Sequence, residues 1–413
     1  MKILHVIRTL DPAWGGPVEG ARNLTSQALL RGHGVEVVCA DDPASPWLAG
    51  WKHTKTHAVG PGLLKYGFTS GLDRWLADNL GRFDVIVVHG IWMYFGYAVW
   101  KATRRIDVPY FLFIHGALDP WFRKHYPVKH VKKAVYWKAL EHKVLRDAQR
   151  VLFTTYEEMV LAERSFLPYQ CRSEITGYGI VRPDLPDHFD KARSIEDLTE
   201  TYADLRNRNF LLFLARLHEK KGIDLLLRAF AASKREIPDT ALVIAGPGDA
   251  ATATAMRTLA SSLGIAADVI WTGPLYGNAK WNVLQAAEAY ILPSHQENFG
   301  ISVVEALACG TPVLISDKVN IRREIEAAEC GLVASDDVEG TTWLLKRWSL
   351  LSTDEKSRMK VRAKSCFASH FDITVTSDRY FALLHPCAEK KTRNSFPRHG
   401  TVEIPPTEVV EHH

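Results

Sequence analysis

Residues Ser294–Pro312 read "SHQENFGISVVEALACGTP". An apolar run, Ala289–Pro293 ("AYILP"), precedes this stretch, and another, Pro312–Ser316 ("PVLIS"), follows it. Pro293 closes a strand, so Ser294–Gly300 is the loop at the carboxyl end of that strand. Gly300 lets backbone approach a ligand closely. Ile301–Cys309 is then helical, and Gly310 stands where a C-terminal cap is expected. The free N–H groups of the helix's first turn form an anion site. Glu297 sits on the loop and Glu305 on the helix. A carboxylate has two acceptor oxygens, which suits it to a vicinal diol. Diol, anion, diol is the outline of a sugar nucleotide, with sugar and ribose on either side of a diphosphate. A lone pair of acids at this spacing would more simply be a surface loop with a capping residue, so the rest of the chain has to decide.

A second stretch points the same way. "ARLHEKKGID" (215–224) follows another apolar run, "NFLLFLARL" (209–217). Arg216 stands at the carboxyl end of that strand, and Lys221 precedes Gly222 at a helix start. Both cations can neutralise one diphosphate. Alone, each would be an ordinary solvated charge.

The wider chain sets the frame. Its 413 residues suit two domains rather than one core. Apolar residues make up 46% and charged residues 24%, the balance of a soluble globular protein. A net charge of +4 is too mild to argue for nucleic acid. The six cysteines are scattered without a CxxC pair, which reads as reduced thiols rather than a disulfide framework or a zinc site. "MKILHVIRTL" lacks the h-region and cleavage site of a signal peptide. The most apolar window, Val85–Trp100, is interrupted by His89, Gly90 and Gly96 and is too short to span a bilayer. A cytoplasmic protein is expected.

In the first half, strands are expected at residues 2–8, 35–40, 84–90, 110–116 and 150–155, with a helix over Pro17–Arg31. In the second half they are expected at 209–217, 241–248, 269–275, 289–294 and 312–316, with a helix over Gly222–Lys234. Continuous apolar strands separated by helices argue parallel sheets covered on both faces. The fold class is α/β, with two doubly wound, Rossmann-like domains facing across a cleft. The first spans residues 1–183 and the second 184–366, with 367–385 packing back on the first. The boundary falls in "RPDLPDHFD" (182–190), and the polar segment 386–413 is expected to be a flexible tail.

"ARLHEKKGIDLLLRAF", "LVIAGPGD", "VIWTGPL" and "AYILPSHQENFGISVVEALACGTPVLIS", in this order and spacing, resemble the GT4 family of retaining glycosyltransferases. The resemblance covers the second half closely and reaches the first through "GGP" (15–17), "RGHGVEVVCA" (31–40) and "HGALDP" (115–120). It implies the GT-B fold and a hexosyltransferase that moves a sugar from a nucleotide-diphosphate sugar to an acceptor hydroxyl. It implies that Arg216 and Lys221 hold the diphosphate and that Glu297 binds the donor sugar. Asn298, Phe299, Gly300 and Ile301 would lie along sugar and phosphates, and Glu305 would hold the ribose. Gly16 would offer its N–H to the phosphate, and His115 would stand beside the reacting sugar. Gly246 and Leu275, in "LVIAGPGD" and "VIWTGPL", would line the nucleotide.

Two departures stand out. The "PNG" common before the inter-domain linker is replaced by "TGYGIVRP" (176–183), and the family's "EGFG" loop is here "ENFG". Asn298 both donates and accepts, so it is expected to tune which sugar hydroxyl is read. No D-x-D triplet occurs, which fits a leaving diphosphate held by Arg, Lys and a helix terminus with no metal and no cofactor. Retention would ordinarily call for a carboxylate nucleophile. Neither Glu297 nor Glu305 is free for that task, and the resemblance implies attack on the face the leaving group departs from.

Residues Trp121–Arg150 hold nine Lys/Arg against Glu141 and Asp147, with Trp121, Phe122, Tyr126, Tyr136 and Trp137 interleaved. Such a stretch suits docking on the anionic inner face of the plasma membrane. It equally suits a solvated basic helix with its aromatics in the core. Membrane docking would imply a lipid-linked oligosaccharide acceptor, as in bacterial surface polysaccharide assembly. The alternatives are a small soluble acceptor, a GT-B sugar-nucleotide epimerase, or a non-catalytic sugar-nucleotide-binding protein. An epimerase would give a product mixture from donor alone.

Overall fold

The computed structural model describes residues 1–182, 202, 205 and 208–395. Residues 183–190 of the expected linker and 396–413 of the expected tail lie outside them.

The first sheet has seven parallel strands: β1 (Lys2–Ile7), β2 (Gly34–Cys39), β3 (Lys55–Ala58), β4 (Val85–His89), β5 (Tyr110–Phe113), β6 (Arg150–Phe153) and β7 (Ser173–Ile175), in the order β3-β2-β1-β4-β5-β6-β7. The second has six: β8 (Asn209–Leu214), β9 (Thr240–Ala245), β10 (Val269–Gly273), β11 (Ala289–Leu292), β12 (Val313–Ser316) and β13 (Gly331–Ala334), in the order β10-β9-β8-β11-β12-β13. Every residue of β4, β5, β11 and β12 is buried, because helices cover both faces. The strand order reverses at β1–β4 and at β8–β11, in register Ile7↔His89 and Leu212↔Tyr290. Crevices therefore open at the carboxyl ends of these four strands.

The strands that the sequence reading does not name are β3, β7 and β13. All three are sheet edges, where apolar runs are not required. The helix expected from Pro17 starts at Gly16, and the one expected from Gly222 starts at Ile223.

One helix, Ile373–Ser395, brings the chain back to the first domain. Its Tyr380, Phe381, Leu384 and Ala388 are buried against Ile3, Ala28, Val85 and Phe111. Alongside its start, Ile373 N–H donates to Ile180 O over 3.0 Å. The helix runs through Pro386 to Ser395, so the segment 386–395 is not the tail expected there. Burial of Leu384 and Ala388 on either side holds the helix across the hydrogen bond that proline removes.

Candidate functional site

The cleft between the domains holds a cavity of about 450 Å³ at the carboxyl ends of β1, β8 and β11. Its lining includes all twelve residues singled out from the sequence: Gly16, His115, Arg216, Lys221, Gly246, Leu275, Glu297, Asn298, Phe299, Gly300, Ile301 and Glu305. A larger cavity of about 980 Å³ also bridges the domains, with a mixed-charge lining that includes Asp119, Glu157, Asp317 and Arg322 and none of these twelve.

Glycines set how closely the second-domain loops approach. Gly246 has φ +142°, and a Cβ there would sit 1.9 Å from Ala215 O. That contact lets the turn bearing Arg216 lie on the end of β9. Gly222 has φ +64°, and a Cβ would sit 2.0 Å from Pro293 O. Lys221 is thereby tucked beneath the end of β11. His295 N–H donates to Lys220 O (2.8 Å) and Ser294 Oγ to the same oxygen (2.7 Å), fixing the two loops together. Lys221 Nζ and Glu297 Oε2 form an ion pair in the cavity wall.

Two helices point their N-termini into the cavity from opposite domains. Gly300, at φ +78°, caps Ile301–Ala308, and Gly16 begins Gly16–Leu30. A Cβ on Gly16 would stand 3.6 Å from Ile301 Cδ1, so the two termini face each other. Tyr178 donates to Gly16 O over 2.8 Å and holds that turn. Two converging helix N-termini with Arg216 and Lys221 make a strongly anion-attracting region.

Deeper, Glu305 Oε1 accepts from Lys280 Nζ at 2.7 Å. Burial pushes the Glu305 carboxyl up, and the Lys280 ammonium partly offsets this. Lys280 carried no signal in the sequence, since it lies in an ordinary helix, Gly277–Ala286, and gains meaning only from its partner.

On the first domain, His115 follows β5 with φ +51°, an uncommon left-handed conformation for a side-chain-bearing residue. Burial pushes its imidazole down to about 4. Behind it, Glu158 is buried and organises the loops. Its Oε1 accepts from Gly116 N–H (2.5 Å), and its Oε2 accepts from Thr154 N–H (2.7 Å) and Thr154 Oγ1 (2.6 Å). Asn298 then crosses the cleft, its Nδ2 donating to Thr154 Oγ1 over 3.1 Å. The amide expected to read a sugar hydroxyl is here engaged with the other domain. Glu158 and Thr154 were missed in the sequence because a buried acid three residues past a helix cap looks like any capping acid.

The basic stretch resolves into three helices, Trp121–His125, Pro127–Tyr136 and His142–Asp147, with one π turn, Trp137–Glu141, between the last two. Of the interleaved aromatics whose side chains are described, Trp121, Tyr136 and Trp137 are buried or half-buried and Tyr126 is exposed. Trp137 is buried, Tyr136 OH lies 2.9 Å from Tyr66 OH, and Trp121 stacks on His125 under Lys220. The outward stripe is instead Val128, Val131 and Val135, at 72%, 63% and 66% exposure. On the opposite side of the helix, Lys129 and Lys133 join Arg123, Tyr126 and Phe166 around a cavity of about 310 Å³. A further cavity of about 410 Å³ touches Tyr126 and Trp121 and runs on to His115, Arg216 and Glu297.

Two doubly wound parallel-sheet domains facing across such a cleft define the GT-B fold class. The chain belongs to the GT4 glycosyltransferases: residues 15–171 match the glycosyl transferase 4-like domain and residues 195–365 the glycosyl transferases group 1. It is 26% identical to a D-inositol 3-phosphate glycosyltransferase of Mycobacterium leprae over 392 residues, 87% of this chain and 86% of the relative. It is 29% identical to that of Rhodococcus opacus over 58% of this chain. The match spans only about half the R. opacus relative's own length, 53%, and 38% of the one from Segniliparus rotundus. Among solved structures the fold is similar to HepE of Anabaena in complex with UDP, with a TM-score of 0.75 at 16% identity, covering 94% of this chain and 100% of that one. It is also similar to WaaG, a glycosyltransferase involved in lipopolysaccharide biosynthesis, with a TM-score of 0.63 at 17% identity, covering 94% and 99%. No helix among the described residues is long and apolar enough to cross a membrane.

Proposed function

We propose that the protein is a retaining, metal-independent glycosyltransferase that takes a nucleotide-diphosphate sugar in the inter-domain cavity and passes the sugar to an anionic acceptor on the first domain. The observation that carries this reading is the convergence of two helix N-termini, at Gly16 and Ile301, with Arg216 and Lys221 on one cavity. Departure of the leaving group builds charge on the diphosphate, and preorganised donors stabilise it. Losing one such donor commonly costs on the order of 10²–10³ in rate. Glu305, braced by Lys280, takes the ribose hydroxyls, and Glu297 takes the sugar. The Lys221–Glu297 pair then sits where phosphate and sugar meet. HepE binding UDP and UDP-glucose supports a uridine nucleotide as the first donor to try. A screen of nucleotide sugars for thermal stabilisation and slow hydrolysis tests the reading. If no nucleotide sugar stabilises the protein, the reading falls.

For the acceptor, the Val128–Val131–Val135 stripe, flanked by exposed Lys132 and Lys138, suits an anionic membrane surface. The cavity with Arg123, Lys129 and Lys133 behind it suits the phosphate of a lipid-linked oligosaccharide. A second reading keeps the phosphate and drops the lipid. The relatives named for D-inositol 3-phosphate support a small soluble acceptor that would place its phosphate in the same cavity.

A further inference from the structure

We infer that His5 and His89 are positioning residues that hold His115 with its proton on Nδ1, the ring nitrogen left to a ligand in the inter-domain cavity.

The three histidines come from adjacent places in the first sheet. His5 is in β1, His89 ends β4, and His115 follows β5; the sheet sets these strands side by side. Their rings lie edge to edge in a row, close to one plane, with centroids 5.1 Å apart for His5–His89 and 5.5 Å for His89–His115, and interplanar angles of 21° and 14°. His5 Nδ1 lies 2.8 Å from His89 Nε2, and His89 Nδ1 lies 3.3 Å from His115 Nε2. The left-handed backbone at His115, φ +51°, is the local strain that this row of rings accompanies.

Each nitrogen–nitrogen contact accommodates one proton. Two protons would collide, and none would set lone pair against lone pair. Burial keeps the rings uncharged: His5 is pushed down to about 3, His115 to about 4, and His89 well below its ordinary value. Three neutral rings carry three protons, one each. Only two arrangements then satisfy both contacts. In one, every ring is protonated on Nδ1, and the donors run from His5 through His89 to His115. In the other, every ring is protonated on Nε2, and the donors run back toward His5.

The buried end of the row decides between them. His5 is fully buried, and its Nε2 has no hydrogen-bond partner among the described residues. In the inward arrangement that nitrogen carries an orphaned N–H. In the outward one it is a bare acceptor, which protein interiors tolerate better. The outward arrangement is therefore favoured. All three rings adopt the minority tautomer of histidine in water, and His115 presents a donor. Where the proposed transfer is accepted, it follows that His115 donates to a sugar or phosphate oxygen and does not take the acceptor's proton.

The test is a long-range ¹H–¹⁵N correlation spectrum of the full chain, labelled in its histidine rings, at pH 7 and without nucleotide. It therefore stands apart from the donor screen. His5, His89 and His115 are each expected with a protonated Nδ1 and a bare Nε2, assigned by their loss in His5→Phe, His89→Phe and His115→Phe and so told apart from His125 and His142, whose Nδ1 donates to a backbone carbonyl. In His89→Phe, the His115 ring should revert to a majority of Nε2–H, because the donor that held its Nε2 as an acceptor is gone. An Nε2–H or an imidazolium at His115 in the unsubstituted protein overturns the inference. So does a His115 pattern unchanged in His89→Phe. If that variant does not fold, the spectrum of the unsubstituted protein decides alone.

Discussion

Asn298 Nδ2 donates to Thr154 Oγ1 across 3.1 Å, and the two residues belong to different domains. The bond ties the loop after β11 to the Glu158-braced loop after β6. A net hydrogen bond contributes about 0.5–1.5 kcal/mol, and partners in one network couple. Asn298→Ala and Thr154→Val should each lower the denaturation midpoint, and the double variant should lose less than the sum. Strict additivity in a double-mutant cycle would show that the cleft does not depend on this bond.

The donor site should divide by ligand. Lys221→Ala and Glu305→Ala should weaken UDP binding by about tenfold or more, roughly 1.4 kcal/mol, because each removes a group proposed to hold the nucleotide. Glu297→Ala should keep most UDP affinity while losing the difference between UDP and UDP-glucose. Calorimetry with both ligands separates the cases, and equal losses for both in Glu297→Ala would remove that residue from the sugar.

Transfer should proceed in EDTA. Arg216, Lys221 and the two helix termini gather positive charge in the cavity where the diphosphate is proposed to bind. An activity that vanishes on chelation and returns with Mg²⁺ or Mn²⁺ would contradict that arrangement.

Much of this site could be read in advance, for a physical reason. In a doubly wound fold the residues that meet a ligand lie just past apolar strands, so "ARLHEKKG" and "ENFGISVVE" announce themselves by position. Residues whose role depends on a distant partner announce nothing. Lys280 matters through Glu305, Glu158 through Gly116 and Thr154, and His5 through His89, 84 positions away. The same holds for packing. The sequence left open whether the aromatics of Trp121–Arg150 face outward or into the core; Trp137 is in the core and three valines are outside. A basic helix does not state which of its apolar sides is buried.

Stability should respond to pH through opposed groups. His5, held down to about 3 by burial, stays neutral in the folded chain, while the unfolded chain protonates it below about 6.5. Its contribution is therefore lost as pH falls from about 6.5, by about 1.4 kcal/mol per pH unit. Glu141, pushed up to about 7 by burial, acts in the opposite sense: its stabilisation is full below the unfolded value and is lost as pH rises through about 7. Between pH 7 and 5, His5→Phe should flatten the fall in melting temperature relative to the parent, and Glu141→Gln should steepen it. Parallel curves for all three proteins would refute the assignment of either group.

The exposed valine stripe gives the sharpest test of the acceptor. If Pro127–Tyr136 lies on an anionic membrane, Val128, Val131 and Val135 enter the interface while Lys132 and Lys138 meet the headgroups. Each cation near such a surface is worth about 1 kcal/mol and is screened by salt. Lys129 and Lys133 are poor choices for this test, because they line the inner cavity and Lys133 lies over Trp92. Val131→Asp and Lys132→Glu, both at exposed positions, should leave folding and UDP binding intact and abolish sedimentation with anionic liposomes at low salt. Arg123→Ala and Lys129→Ala should do the reverse, keeping sedimentation while slowing transfer to a phosphate-bearing acceptor. If the unsubstituted protein ignores anionic liposomes, or Val131→Asp still sediments, the stripe does not dock on lipid. The inner cations would then serve a soluble phosphorylated acceptor.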